Sequence, residues 1–314
     1  MPASVPSGPR SRAARALSLV ALTTTVLLAT ACASGSGAAP GGDPTAAIPL
    51  PGPEDGDGGT ATDPGSSGGS GSPGDAAEPP DVTAPDDGTP AGDGPLGSRV
   101  VLIDPGHNGG NAEAADEIGE LVSAGPERKA CDTVGSETED GYTEHEFNWD
   151  LALLVKERLE ADGATVVLTR DDDEGVGPCI DERAAIGNEA EADAALSIHA
   201  DGGPPSGRGF HVITPGEIDG FTEDIVDPSR LLAEDLRREY REGSDVPYAD
   251  YLAEDGLDER TDLGGLNLST VPKVFLEAGN LRNEEDAALL SDPEWRDTAA
   301  EAIARGLAVY LMRE

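Results

Sequence analysis

From residue 98 onward, short apolar runs alternate with segments in which apolar residues return every three or four positions. The runs predict strands at residues 99–103, 164–169, 194–199, 209–213 and 273–277. The three-to-four spacing predicts helices at 144–161, 181–191, 229–242, 283–290 and 295–311. The clearest helix carries Phe147, Leu151, Leu154 and Val155 on one face and stops at Asp162-Gly163, where glycine permits the turn that ends a helix. Strands that alternate with helices imply an α/β layer fold: a mostly parallel, twisted central sheet with helices on both faces. Its length suits one domain, residues 98–314.

The pattern upstream is different. Residues 1–31 contain no acid, three arginines (Arg10, Arg12, Arg15) and an apolar run at 16–29, which is the layout of a secretory signal. The run is short for a membrane span. It leads through Leu28-Ala29-Thr30-Ala31 into Cys32, a stretch that resembles a bacterial lipobox, whose cysteine is acylated and becomes the new N-terminus. An ordinary signal followed by an incidental Cys32 is the alternative. Residues 32–97 have no Lys or Arg and consist chiefly of Gly, Pro, Ser, Ala, Thr and Asp. Such a segment buries too little apolar surface to offset its ordering entropy, so a disordered N-terminal tether, or a passive spacer, is expected. The protein is thus expected to be exported to the outer face of the cytoplasmic membrane or the cell wall, held to the membrane by its lipid anchor.

The formal net charge is −41, with lysine only at 129, 156 and 273. A nucleic-acid partner is excluded, because phosphate backbones demand the opposite sign. Self-repulsion at this charge favours a monomer.

Candidate chemistry collects at strand ends. The run Val100-Val101-Leu102-Ile103 stops at Asp104-Pro105-Gly106-His107, and Ala194-Ala195-Leu196-Ser197-Ile198 delivers His199 in the same way. Both imidazoles are placed at the carboxyl edge of the sheet, where ligands bind in open α/β folds. Glu144 opens the Phe147 helix, so its carboxylate can point past the helix end. Two imidazoles and one carboxylate, with a fourth position left for water, make a catalytic zinc site rather than a structural one. Glu277 closes the strand Lys273-Val274-Phe275-Leu276 and is placed to act as general acid/base. Taken singly, each residue also has a structural reading: a His satisfied in the core, or a Glu held by backbone amides or an arginine.

Taken together, these segments resemble the zinc-dependent N-acetylmuramoyl-L-alanine amidases of family 3, and most closely their mycobacterial, single-domain branch. The resemblance spans residues 98–314. It is carried by Ile103-Asp104-Pro105-Gly106-His107, by Glu144 four residues before Asn148, and by Leu168-Thr169-Arg170 with Asp181-Glu182-Arg183-Ala184-Ala185. Ser197-Ile198-His199-Ala200 and Val274-Phe275-Leu276-Glu277-Ala278-Gly279-Asn280 complete it. It implies one zinc ion on His107, Glu144 and His199, with Glu277 as the catalytic acid/base. The implied reaction is cleavage of the amide between N-acetylmuramic acid and L-alanine, in peptidoglycan and muramyl peptides. Two positions depart from the family: Asn108 follows His107 where a glycine is usual, and Asn280 follows Gly279 where an aromatic residue is usual. Both put substrate contacts in question rather than the metal.

Glu146 competes with Glu144 as a ligand, and the spacing to Asn148 favours Glu144. His145 is read as a surface residue at the helix start, and His211 as facing a strand neighbour or lining the cleft. Cys131 and Cys179 form an even pair in an exported domain, which points to a disulfide, with free thiols as the alternative. The segment 108–142 must loop out between two residues that meet at one metal, so it is expected to lie over the cleft as a flap pinned by Cys131. Two other functions share parts of the pattern. A solute-binding lipoprotein would share the signal and Cys32, and a zinc carboxypeptidase would share the metal.

Overall fold

The structure, a computed structural model, describes residues 93–313. The expected signal, Cys32 and all of the expected tether before residue 93 lie outside the described residues. The folded body begins upstream of the expected boundary at residue 98. Leu96 is fully buried in the main core, and its amide donates to Asp162 O at 2.9 Å.

In chain order the elements are β1 (Val100–Pro105), a single 3-10 turn (Asn111–Glu113), α1 (Ala115–Ile118), β2 (Leu121–Ser123), β3 (Arg128–Ala130), α2 (Glu144–Ala161), β4 (Thr165–Leu168) and α3 (Ile180–Glu189). They continue with β5 (Ala194–Asp201), β6 (His211–Pro215), α4 (Val226–Ser244), β7 (Leu257–Arg260), α5 (Gly264–Asn267), β8 (Lys273–Asn280), α6 (Glu284–Leu290) and α7 (Pro293–Leu311). Six strands form one sheet in the order β4-β1-β5-β8-β6-β7, and β2 pairs with β3 as a separate antiparallel hairpin. Every neighbouring pair in the large sheet is parallel except β6 against β8.

The two faces of the sheet are unequally covered, and the period-two alternation of strand side chains decides what each face receives. Val101 and Ile103 of β1, Leu196 and Ile198 of β5, and Val274 and Leu276 of β8 turn to one face, where they are fully buried with residues of α2, α4 and α7. Burying a side chain of this size stabilises by about 1.5–3 kcal/mol, so this face holds most of the fold's hydrophobic stabilisation. On the opposite face, Leu102 and Ala195 form only a small cluster, with Ile186 of α3 packed against it. The same alternation therefore gives that thinly covered face Asp104 from β1, Ser197 and His199 from β5, and Lys273, Phe275 and Glu277 from β8. Gly163, at φ 94°, ends α2 where the sequence predicts the stop.

Beneath the strand ends lies a buried ion cluster. Asp104 accepts from Thr169 Oγ1 and Arg183 Nη1 at 2.8 Å each, from Ser197 Oγ at 2.6 Å and from Lys273 Nζ at 3.2 Å. Burial alone would raise the Asp104 pKa. Lys273, Arg183 and the hydrogen bonds outweigh it and hold the carboxyl below the usual carboxylate range.

Candidate active site

The turn after β1 is fixed through its carbonyls. Pro105 O accepts from Arg170 Nε at 3.0 Å and Arg183 Nη1 at 2.8 Å, Gly106 O from Asn148 Nδ2 at 3.1 Å, and His107 O from Arg183 Nη2 at 3.1 Å. Gly106 is required by close approach: a Cβ there would lie 2.1 Å from Cε1 of His199. His107 takes φ 60°, an uncommon left-handed conformation for a side-chain-bearing residue that the clamped turn sustains. The imidazole of His199 stacks on Phe275, with ring centres 5.2 Å apart and planes 12° from parallel, and meets the His107 ring edge-on at 4.9 Å.

Glu144 is the first residue of α2 and is buried. Its Oε2 accepts from the Ser136 amide at 2.8 Å, while its Oε1 lies 2.9 Å from His199 Nδ1 and 3.3 Å from His107 Nε2. One ligand atom from each of His107, Glu144 and His199 falls within 4.8 Å of the other two. Burial disfavours a charged imidazole, but Glu144 and Asp132 outweigh it and raise the His107 pKa to about 10. Glu144 is in turn held well below its usual value, against its own burial, chiefly by His107 and His199. A nitrogen, nitrogen, oxygen donor set of that spacing fits a divalent metal such as zinc.

Glu277 stands beside His199 in the β5–β8 register and lines the same cavity as His107, Glu144 and His199. Its Oε2 is buried and has no hydrogen-bond partner among the described residues. Burial, with the nearby charges of Glu144 and Asp201, raises its pKa well above the usual carboxyl value. Two cavities of about 400 Å³ each flank the trio and share His107, Thr133, His199, Leu263 and Phe275. One opens toward Glu277, Asp201 and Arg260, and the other runs between the β2–β3 segment and the start of α5. A larger hollow of about 530 Å³, between α4 and β7, holds none of the candidate residues.

The rival carboxylate is set aside: Glu146 is exposed, whereas Glu144 faces the two imidazoles. His145 pairs with Asp173 at 2.8 Å, away from the trio. His211 is buried and lies across from Glu277 in the β6–β8 register. The two departures from the family pattern are buried tie points rather than cleft residues. Asn108 packs against Gly177, and Asn280 donates to Pro204 O at 2.9 Å and Gly207 O at 2.8 Å. Cys131 and Cys179 are joined by a disulfide, and the segment after Cys131 lies directly on His107.

Contacts around the trio that sequence reasoning missed come mainly from the 108–142 segment. His107 Nδ1 is 3.1 Å from Asp132 Oδ1 and 3.0 Å from Thr133 O. No spacing rule marks Asp132, because it reaches the site through a hairpin of irregular composition. Arg183 stands within the sequence motif, but its grip on Pro105, His107 and Asp104 is visible only in the fold.

A mostly parallel α/β sheet that gathers two imidazoles and a carboxylate at its strand ends, with an unpaired buried carboxylate beside them, has the arrangement of a metal-dependent hydrolase. Residues 101–309 match the N-acetylmuramoyl-L-alanine amidase family. An N-acetylmuramoyl-L-alanine amidase of Mycobacterium tuberculosis is 41% identical over 217 residues, covering 69% of this chain and 88% of the relative. The solved structure of the amidase Ami1 of Mycobacterium smegmatis is 42% identical with a TM-score of 0.65, covering 69% of this chain and 98% of that one. Ami1 of Mycobacterium abscessus is 39% identical with a TM-score of 0.64, over 68% of this chain and 99% of that one. The chain belongs to the N-acetylmuramoyl-L-alanine amidase family and groups with its mycobacterial members.

Proposed function

We propose that this chain hydrolyses the amide between N-acetylmuramic acid and the L-alanine of the stem peptide, using one zinc ion on His107, Glu144 and His199. Zinc bound there would supply Lewis-acid polarisation of the amide carbonyl and a water of lowered pKa. Glu277 acts as general base, taking a proton from the attacking water, and then returns it to the departing amine as the C–N bond breaks. Its raised pKa suits a group that must both accept and release that proton. The products are the free carboxyl of the lactyl group and the free α-amine of L-alanine. Water contributes its hydroxyl to the first and its proton to the second.

The observation that carries this reading is the unpartnered Oε2 of Glu277, buried in the cavity that also exposes the three ligand candidates. A buried carboxylate left without a partner costs stability unless it has a task. The two cavities that flank the trio suit an internal amide, which has bulky groups on both sides. Family membership sets aside the solute-binder and carboxypeptidase alternatives. Among the described residues no helix is long and apolar enough to cross a membrane. Attachment through an acylated Cys32, export by the signal at 1–31, a tether at 32–97 and action as a monomer on the cell wall complete the proposal.

Metal analysis of the purified protein and its His199→Ala variant tests the site. One zinc per chain is expected in the first and a small fraction of that in the second. Equal zinc in both would overturn the ligand assignment.

A further inference from the structure

We propose that the Cys131–Cys179 disulfide sets the metal affinity of the site, by clamping together the two segments that grip the imidazole of His107, which is taken here as a metal ligand. One segment is the stretch that follows the β2–β3 hairpin. Asp132, the residue next to Cys131, places Oδ1 3.1 Å from His107 Nδ1, and Thr133 places its carbonyl oxygen 3.0 Å from the same nitrogen. The other segment is α3, whose N-cap is Cys179. One turn on, Arg183 donates to His107 O at 3.1 Å and lies 3.5 Å from Asp132 Oδ2. The disulfide thus sits at the junction of two arms that close on one residue, one on its ring and one on its backbone.

A hydrogen bond from Nδ1–H reserves Nε2, the nitrogen that faces Glu144, as the atom that would carry the lone pair to a metal. The quality of that bond depends on where Asp132 is held. Besides the disulfide, the direct links between Cys131 or Asp132 and α3 are the hydrogen bond from Ile180 N to Cys131 O at 2.9 Å and the long Arg183 contact. The remaining backbone bonds of these two residues run to Glu120 and Ile118, within the same segment. The rest of the segment is tied elsewhere, through Ala124 O to Asn267, Lys129 to Asp262 and Ser136 to Glu144, so without the covalent bridge Asp132 is free to draw away from α3 and the imidazole loses its orienting partner. Asp132 and Arg183 are therefore positioning residues. The bridge makes full metal affinity conditional on an oxidising compartment, so the site would mature after export.

Zinc dissociation constants from chelator competition test this on four proteins: the wild type, Asp132→Asn, Cys131→Ser/Cys179→Ser, and the triple variant. Loss of an orienting partner of a ligand histidine commonly weakens metal binding by about 10- to 100-fold. A loss of that size is expected for Asp132→Asn and for the cysteine double variant. The triple variant should lose no more than either, because both changes act through one contact. If the double variant does not fold, wild type reduced with a phosphine replaces it; the phosphine gives the bridge two electrons, and one water supplies the two protons of the thiols and the oxygen of the phosphine oxide. Wild-type affinity in Asp132→Asn or in the protein without the bridge, or losses that multiply in the triple variant, would overturn the proposal. A His199→Ala protein that binds zinc as tightly as wild type would instead overturn the ligand assignment on which it rests.

Discussion

His211 stands across from Glu277 on the antiparallel pair β6–β8 and is buried, with no hydrogen-bond partner for Nδ1 among the described residues. Burial, with Arg260 adding like charge, pushes its pKa down from 6.5 to about 4. Between those values the unfolded chain binds a proton that the fold refuses. Stability from the neutral ring is therefore complete above pH 6.5 and declines as pH falls toward 4. Urea unfolding of wild type and His211→Gln should show this directly. Wild type is expected to lose about 2 to 3 kcal/mol relative to the variant between pH 7.5 and 4.5. A difference that does not change with pH would contradict the buried neutral state. The candidate ligands are legible in the sequence because each lies close to the end of a regular element, His107 just past β1, Glu144 at the start of α2 and His199 near the carboxyl end of β5. His211 keeps two readings in the sequence, since a residue of a short strand shows its face only once its partner strand is known. Asp132 gave no sequence signal at all, because what defines it is contact across the fold with His107.

At the scale of elements, the thin face of the sheet is the working face, and the Asp104 cluster joins its strands. Lys273 of β8, Ser197 of β5 and Arg183 of α3 all converge on the carboxylate of β1. Removing one partner of a buried pair leaves uncompensated charge, which typically costs about 3–5 kcal/mol. Asp104→Asn should lower unfolding stability by about that amount in urea titrations at neutral pH, and a loss below about 1 kcal/mol would show that the cluster is not coupled to folding. In wild type this contribution is present above the ordinary aspartate value of 3.8 and is lost as pH falls below it toward the depressed folded value. The five apolar strands β1, β4, β5, β6 and β8 and the five longer helices were readable from their periodicity. β7 was not, because the edge strand Leu257–Arg260 is mostly charged, as exposed edges often are. The β2–β3 hairpin was hidden for a similar reason: three-residue strands give periodicity too little length to register. The reversal of β6 against β8 was likewise out of reach, since strand direction depends on connections rather than on composition.

For the molecule as a whole, the proposal is a zinc amidase with an export signal, a tether and a lipid anchor. On this proposal a diacylated Cys32 would supply two chains, enough for stable attachment. Cys32→Ala is expected to move the protein from the membrane to the soluble fraction while leaving the turnover of the purified protein unchanged. Retention in the membrane fraction would point to a different anchor. The central claim, that Glu277 serves water to the amide between muramic acid and L-alanine, is tested most directly by mass spectrometry of a muramyl tripeptide treated with zinc-loaded wild type and zinc-loaded Glu277→Gln. The account predicts free N-acetylmuramic acid and a peptide with an unblocked L-alanine from wild type, and a rate lower by about 10² to 10⁴ with unchanged zinc content for the variant. Cleavage at any other bond, or comparable rates from the two proteins, would contradict it.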